Sequence, residues 1–227
     1  MKKIFYVFIF ILTLPFICEA HADEASKWET NLYGGIYIEN EQAWIIEPSI
    51  AWHFHNYFGV AVGLEFTSQY NQPSRSLTIN GHNANLVDNN KNIAWMLFKP
   101  AIVLKSPTIN LNKGGGYKLW FQVEPGISLA CPFKNSVTYE MVNTQNSSFP
   151  FYDYVTFRNN GLKVFYWNAK ISAKISIERW VLGLGYEISD FDYYSCRRNI
   201  TLPNGSKFYV PKKEISQSVL LSVGYKF

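Results

Sequence analysis

The sequence has little excess charge, few cysteines and, after residue 22, no long apolar run. Its formal net charge of +4 is too small and too evenly spread to indicate a nucleic-acid-binding protein. Beyond Ala22, no segment approaches the ~18 consecutive apolar residues of a transmembrane helix. Extensive disorder is excluded, because aromatic residues make up 17% of the chain and disordered proteins contain few of them. The composition therefore indicates an ordered protein without membrane-spanning helices.

Residues 1–22 have the pattern of a secretory signal peptide. The positively charged Met1-Lys2-Lys3 precedes an apolar run over Ile4–Cys18, and the small-x-small triplet Ala20-His21-Ala22 follows that run. A transmembrane helix is disfavoured because the run has only about 15 residues, whereas a spanning helix needs about 20. Lipid attachment at Cys18 is also disfavoured, because Ile17 precedes it instead of a small residue. We predict cleavage after Ala22 and a single mature domain over residues 23–227.

Apolar and polar residues alternate strictly along most of the mature chain. This alternation is the period of a β-strand with one apolar and one polar face, and it predicts an all-β fold. In the fourth segment Lys99 is expected to point to the polar side, but Trp95 and Leu97 blur the pattern. The eight alternating segments are Trp28–Ile38, Trp44–Phe54, Phe58–Thr67, Ile93–Leu104, Tyr117–Leu129, Phe165–Ile177, Trp180–Ser189 and Ser216–Phe227.

The connections between these segments alternate in length after a short first link. Long polar loops cover residues 68–92, 132–161 and 190–213, and tight turns separate most of the other segments. Short turns at one rim and long loops at the other are typical of an up-and-down transmembrane barrel, whose long loops face the cell exterior. The link over residues 105–116 is longer than this pattern predicts.

A soluble β-sandwich or lipocalin also alternates, but it points its apolar face inward. Here the polar faces combine glycine, serine and alanine with occasional charges, a composition that suits a narrow wet lumen. The apolar faces carry aromatic residues near strand ends, as in the interfacial girdles of membrane barrels. These residues are Trp28, Trp44, Phe54, Phe58, Trp167, Trp180, Tyr225 and Phe227. We therefore predict a closed antiparallel transmembrane barrel, the only kind of sheet that lipid permits.

Two segments carry a resemblance to a known family. Glu47–Phe54 with the following Phe58–Gly63 resembles the small outer-membrane β-barrel domains of Gram-negative bacteria. The last strand, with Val223, Tyr225 and Phe227 on its apolar face, resembles the C-terminal signal that the barrel-insertion machinery reads. The resemblance implies an eight-stranded, monomeric barrel in contact with outer-membrane lipid. It implies a location and no particular activity, because this fold serves many functions.

Charged residues at polar-face positions are expected to point into the lumen. An eight-stranded barrel is just wide enough for side chains to fill, and buried charges must pair. We interpret these residues as a structural salt-bridge network; a gated polar path and a proton or ligand relay remain alternatives. The residues are Glu29, Glu47, Glu65, Glu124 and Glu187 with Lys99, Lys118, Lys170 and Lys174.

Signals for catalysis and cofactors are weak. No histidine has a metal-ligand spacing, and no cofactor is predicted. His82 with Ser74, Ser76 or Asp88 could be assigned to lipopolysaccharide chemistry, but no spacing supports that assignment. The mature chain has two cysteines, Cys131 and Cys196, in a compartment that is expected to be oxidising. A disulfide between outer loops and two free thiols are therefore alternatives.

The sequence leaves two main functional hypotheses. The first is a non-enzymatic surface protein whose Tyr- and Asn-rich loops bind a host or envelope partner or support the membrane. The second is a small pore for ions or polar solutes, and an enzyme is a more remote third.

Overall fold

A computed structural model of the protein describes residues 27–38, 43–70, 77–79, 82–87, 92–112, 116–142, 151–203, 205–212 and 215–227. The predicted signal peptide, residues 1–22, lies outside the described residues. Within them, no helix is long and apolar enough to cross a membrane. The elements are β1 (Trp28–Tyr37), β2 (Trp44–Trp52), β3 (Phe58–Tyr70), β4 (Leu77–Ile79), β5 (His82–Leu86), β6 (Asn92–Lys105), β7 (Ile109–Asn110), β8 (Tyr117–Pro132), β9 (Ser136–Val142), β10 (Phe151–Arg158), β11 (Phe165–Ile177), β12 (Trp180–Ser189), α1 (Ser195–Arg198) and β13 (Ser216–Lys226).

Eight of these strands form a closed antiparallel barrel, which confirms the predicted fold class. The strand order is β11-β12-β13-β1-β2-β3-β6-β8, and pairing of β8 with β11 closes the sheet. The first and last barrel strands are neighbours, with Leu32 opposite Val223. Closure leaves no sheet edge, so the ladder hydrogen bonds of the wall are satisfied within the sheet.

The barrel wall is apolar outside and polar inside. Leu221 is 66% exposed and Ile102 is 56% exposed, whereas Glu47 and Lys174 on the inner face are 2% and 0% exposed. Each large apolar side chain left in water forfeits roughly 1.5–3 kcal/mol relative to burial. A whole belt of them is therefore stable only against lipid.

Exposed aromatic residues lie near both ends of the wall. At the end with the tight turns, Trp28 stacks on Trp52 with ring centroids 6.1 Å apart, and Trp180 contacts Tyr225 at 5.4 Å. Trp44 and Trp167 are exposed near the opposite end. Two aromatic belts of this kind mark the two membrane interfaces, in agreement with the sequence.

The segments predicted as long polar loops contain strands that the sequence analysis did not predict. β10, β9, β5 and β4 form a second, four-stranded sheet beyond the rim of the barrel. One face of this sheet packs against the last long loop in an apolar cluster of Ala84, Val137, Tyr139, Met141, Ile200 and Phe208. The loops fold because they bury a second core outside the membrane.

The link over residues 105–116, at the end with the tight turns, is long because it contains a short strand. β7 pairs with β8, placing Ile109 opposite Leu119. The link therefore extends the barrel wall by one short strand.

Candidate functional site

The centre of the lumen holds a buried lysine that contacts three glutamates. Lys99 of β6 places its Nζ 2.8 Å from Glu47 Oε2, 2.8 Å from Glu65 Oε2 and 2.7 Å from both carboxylate oxygens of Glu187. The alternation of β2, β3, β6 and β12 points these four side chains inward. Three carboxylates around one ammonium join opposite walls of the barrel.

Lys170 of β11 continues the network. Its Nζ lies 2.5 Å from Glu47 Oε1 and 4.0 Å from Glu187 Oε2, and it sits 4.0 Å from the centre of the Tyr33 ring. Register produces part of this cluster, because Lys170 is the direct cross-strand partner of both Glu187 and Glu124. Glu47 therefore bridges Lys99 and Lys170.

A second ion pair lies nearer the tight turns. Lys174 Nζ is 2.6 Å from Glu29 Oε1, and the amide of Asn31 donates to the same oxygen at 3.0 Å. Both charged side chains are almost fully buried. Removing one partner from such a pair leaves the other charge buried without a counter-ion.

Glu65 and Glu124 also accept hydrogen bonds from neutral donors. The Tyr37 hydroxyl donates to Glu65 Oε1 at 2.7 Å. Gln122 Nε2 donates to Glu124 Oε1 at 2.7 Å, and the Tyr33 hydroxyl donates to the same oxygen at 3.4 Å. Neutral donors let the lumen hold more acids than bases.

Lys118 departs from the sequence-based hypothesis. Its position in the alternation is correct, but it is exposed at the barrel mouth and lines a cavity there. The other eight charges of the hypothesis are buried in the lumen: Glu29, Glu47, Glu65, Glu124, Glu187, Lys99, Lys170 and Lys174.

The carboxylates of Glu47, Glu65 and Glu187 have oxygen atoms within 4.8 Å of one another, as in a cation site. The cation among them is the Lys99 ammonium. These three glutamates therefore serve as counter-ions to a lysine.

The outer half of the lumen is filled by the segment that follows β12. Phe191 packs edge-on against Trp95 and Tyr166, with ring centroids 5.3 and 5.1 Å apart. Trp95 Nε1 donates to the Tyr193 carbonyl at 2.9 Å, and the Tyr193 hydroxyl donates to the Ile93 carbonyl at 2.9 Å. We call residues 190–198 the plug. It explains why Trp95 and Leu97 of β6 point inward although they are apolar.

The plug is fastened by charged and polar contacts. Arg198 donates two hydrogen bonds to the Asp192 carboxylate, from Nε at 2.6 Å and from Nη2 at 2.8 Å. The hydrogen bonds to Asp192 raise the pKa of Arg198. Asn159, just after β10, donates to the Ser195 carbonyl at 2.7 Å. The plug is thereby tied to the outer sheet.

The sequence left two states of Cys131 and Cys196 open, a disulfide and two free thiols. Cys131 and Cys196 are both free, because Cys131 is exposed on the outer face of β8 whereas Cys196 is buried in the plug. Burial raises the pKa of the Cys196 thiol to about 12. The two sulfur atoms thus lie on opposite sides of the barrel wall.

Other predicted residues are placed as follows. Val223 faces outward from β13, and Tyr225 contacts the Phe227 ring at 5.0 Å; their role as an insertion signal stays a prediction. Ser74, Ser76, Asp88 and the side chain of His82 lie outside the described residues. Sequence reasoning missed the plug and the outer sheet, although the alternation of Val137, Tyr139 and Met141 was a readable strand signal.

The fold is similar to solved outer-membrane barrels. Ail, the attachment invasion locus protein of Yersinia pestis, aligns at 10% identity and a TM-score of 0.41 over 90% of this chain and 100% of the solved chain. The N-terminal β-barrel domain of Pseudomonas aeruginosa OprF gives the same identity, TM-score and coverage. The outer membrane enzyme PagL aligns at 8% identity and a TM-score of 0.43 over 88% of this chain and 99% of the solved chain. No protein-family model and no curated protein matches the chain.

The wall itself identifies the class of protein. Its outward residues form an apolar belt with aromatic residues near both ends, and its interior is polar and charged. A closed antiparallel barrel of this polarity is the architecture of bacterial outer-membrane proteins. The chain is a small, eight-stranded outer-membrane β-barrel protein.

Proposed function

We propose that the protein is a non-enzymatic surface protein that binds an extracellular partner through its outer sheet. The observation that carries this proposal is the folded structure beyond the rim, a four-stranded sheet with one face buried on its own apolar cluster. A passive connector has no need of a second core. A buried core on one side fixes the opposite face as a rigid platform.

The opposite face of the sheet is polar and carries an aromatic side chain. Asn85, Glu140 and Tyr154 lie side by side across three strands, and Tyr154 is 55% exposed. Thr138 and Thr156 form the next row, with their hydroxyls 3.0 Å apart. Tyrosine supplies contact area at low entropic cost, and Asn and Thr supply adaptable hydrogen bonds. This composition suits a recognition surface.

Adhesion assays with variants test the binding proposal. Bacteria that display the protein are applied to arrays of extracellular-matrix proteins and glycans, and bound cells are counted. We expect Tyr154→Ala with Glu140→Lys to reduce binding at least tenfold, because both changes fall on one row of the platform. Tyr57→Ala is the matched control, since Tyr57 is an exposed tyrosine in a turn at the opposite end. Equal binding by both variants would contradict the proposal.

The filled lumen supports a protein that does not conduct. Lys99 and its three glutamates cross the centre, and the plug fills the outer half. We expect the refolded protein to give no discrete current steps in a planar lipid bilayer. Reproducible steps would favour the pore hypothesis instead.

Absence of enzymatic activity is part of the same proposal. His53 and His55, the histidines whose side chains the structure describes, line the cavity at the tight-turn end and lie away from the outer leaflet. Mass spectrometry of lipid A from cells with and without the protein should give identical spectra. A new deacylated or acylated species would show that the protein is an enzyme.

A further inference from the structure

The lumen is open at the end with the tight turns, whereas its centre and its outer half are filled by side chains. A cavity of about 920 Å³ lies there, bounded by the ends of the strands and by the turns at residues 53–57 and 178–179. Short turns mark the periplasmic side of such barrels. The volume is that of a site for a small molecule or for the end of a polymer.

The lining of the cavity has more cationic than acidic side chains. Two acidic residues, Glu29 and Glu178, line it, and Glu29 already contacts Lys174. The five cationic residues in its lining are Lys27, Lys105, Lys118, Arg179 and Lys226. The centre of the lumen, in contrast, holds more glutamates than lysines. Charge is thus separated along the barrel, with its positive end toward the periplasm.

Two of these lysines meet on one tryptophan. Lys105 Nζ lies 4.4 Å from the centre of the Trp120 ring, and Lys226 Nζ lies 3.8 Å from it. Strands β6, β8 and β13 supply the three residues, which reach toward each other across the lumen. In the part of the chain that the structure describes, neither lysine has a carboxylate within ion-pair distance. The ammonium groups of Lys105 and Lys226 repel each other because both lie close to the Trp120 ring. A bound anion would reduce that repulsion.

Two residues of the cavity lining, Trp120 and His53, have buried polar atoms without hydrogen-bond partners among the described residues. Trp120 is 0% exposed, yet its Nε1 donor has no partner among the described residues. Both ring nitrogens of His53 lack a hydrogen bond there, and the Nε2 atom lies 3.7 Å from Glu29 Oε2. Each unsatisfied buried group costs about 1–3 kcal/mol. A ligand rich in acceptor atoms would satisfy the indole donor and the lysines together.

We propose that this periplasmic cavity binds a multivalent oxyanion, carried by a phosphate- or carboxylate-bearing molecule. Lys105 and Lys226 neutralise its charge from two sides, and Trp120 Nε1 donates a hydrogen bond to one oxygen. The anion comes from a soluble periplasmic molecule or from a lipid headgroup of the inner leaflet, and the chemistry of recognition is the same for both.

Isothermal titration calorimetry tests the site on the refolded full chain. The probes are inorganic pyrophosphate and citrate, and the protein is held in nanodiscs of zwitterionic lipid. We expect saturable binding that weakens as salt increases, because ionic screening acts on an open cavity. Lys105→Gln with Lys226→Gln should lower the affinity at least tenfold, and Trp120→Phe should lower it about tenfold because it removes the donor and keeps the ring.

The control is a lysine over an aromatic ring at the other end of the barrel, where it is also paired with Asp190 at 2.6 Å. Lys163 Nζ lies 4.6 Å from the centre of the Tyr166 ring, and Lys163→Gln should leave the affinity unchanged. Retained heat-modifiable migration in gels verifies that each variant is folded. Weaker pyrophosphate binding in nanodiscs of anionic phosphatidylglycerol would identify the headgroup as a competing occupant.

Two outcomes would overturn the proposal. One is the absence of binding by folded wild-type protein at millimolar pyrophosphate and citrate. The other is equal affinity of the wild type and the Lys105 and Lys226 double variant. Neither outcome bears on the outer sheet, since the variants lie at opposite ends of the molecule.

Discussion

The centre and the mouth of the lumen use the same residue types for different purposes. Lys99 and Lys105 lie on the same strand, about 20 Å apart along it. Lys99 contacts three carboxylates, whereas Lys105 lies over a tryptophan ring without a carboxylate within ion-pair distance among the described residues. Lysines that are paired with carboxylates, as at the centre, hold the walls of the barrel together. Lysines without a carboxylate partner in the described part of the chain, as Lys105 at the mouth, are available to bind an anion from the solvent.

Lys99→Met gives the largest expected effect. It removes the ammonium that three buried carboxylates share and leaves Lys170, in contact with Glu47, as the nearest cation. Loss of one partner in a buried network costs about 3–5 kcal/mol. Lys105→Met on the same strand should cost less than about 1 kcal/mol. Urea unfolding in lipid vesicles measures both free energies. Equal losses would remove the distinction between centre and mouth.

Phe191→Ala tests whether the plug is a packed part of the fold. Phe191 is 2% exposed and contacts three aromatic rings, so truncation should cost about 3 kcal/mol. Phe133→Ala is the control, because Phe133 is 57% exposed and should contribute little. The same urea titration applies. A loss below that of the control would mean that the plug packs loosely against the barrel.

The sequence predicted the barrel wall well because alternation determines which side of a strand each residue faces. It placed Lys99, Lys170 and Lys174 inward. Extending the same alternation by two residues beyond Leu129 puts Cys131 on the apolar side. Applied fully, that parity argues against a disulfide to a residue inside the barrel. The disulfide stayed open as an alternative only as long as the cysteines were counted without regard to the face of the strand.

Alternation says nothing about depth along the barrel axis or about loops that fold back. Lys118 has the inward parity of Lys174 but lies at the exposed mouth. Trp95 and Leu97 were ambiguous because the outer lumen is apolar, and it is apolar only because the plug enters it. The positions of Phe191 and Tyr193 inside the barrel depend on tertiary contacts between distant segments. No local pattern encodes those contacts.

Asp192→Asn should lower the free energy of unfolding less than the changes at Lys99 and Phe191, although Asp192 also lies in the plug. It removes the carboxylate that accepts two hydrogen bonds from Arg198, but the arginine is 29% exposed, so we expect a loss of about 1 kcal/mol. Limited proteolysis of the outer loops should become faster before global unfolding changes much. Unchanged proteolysis would show that other contacts suffice to hold the plug.

Lys118→Gln should have the smallest effect on stability. Lys118 is exposed at the mouth, and no carboxylate of the described residues lies within ion-pair distance of it, so the loss should be within about 0.5 kcal/mol. The same change removes one of five cations from the cavity and should weaken pyrophosphate binding about threefold. Calorimetry and urea unfolding of one variant thus separate the two roles of charge. A large stability loss with unchanged binding would place Lys118 in the structural network after all, and the mouth would then be a continuation of the centre.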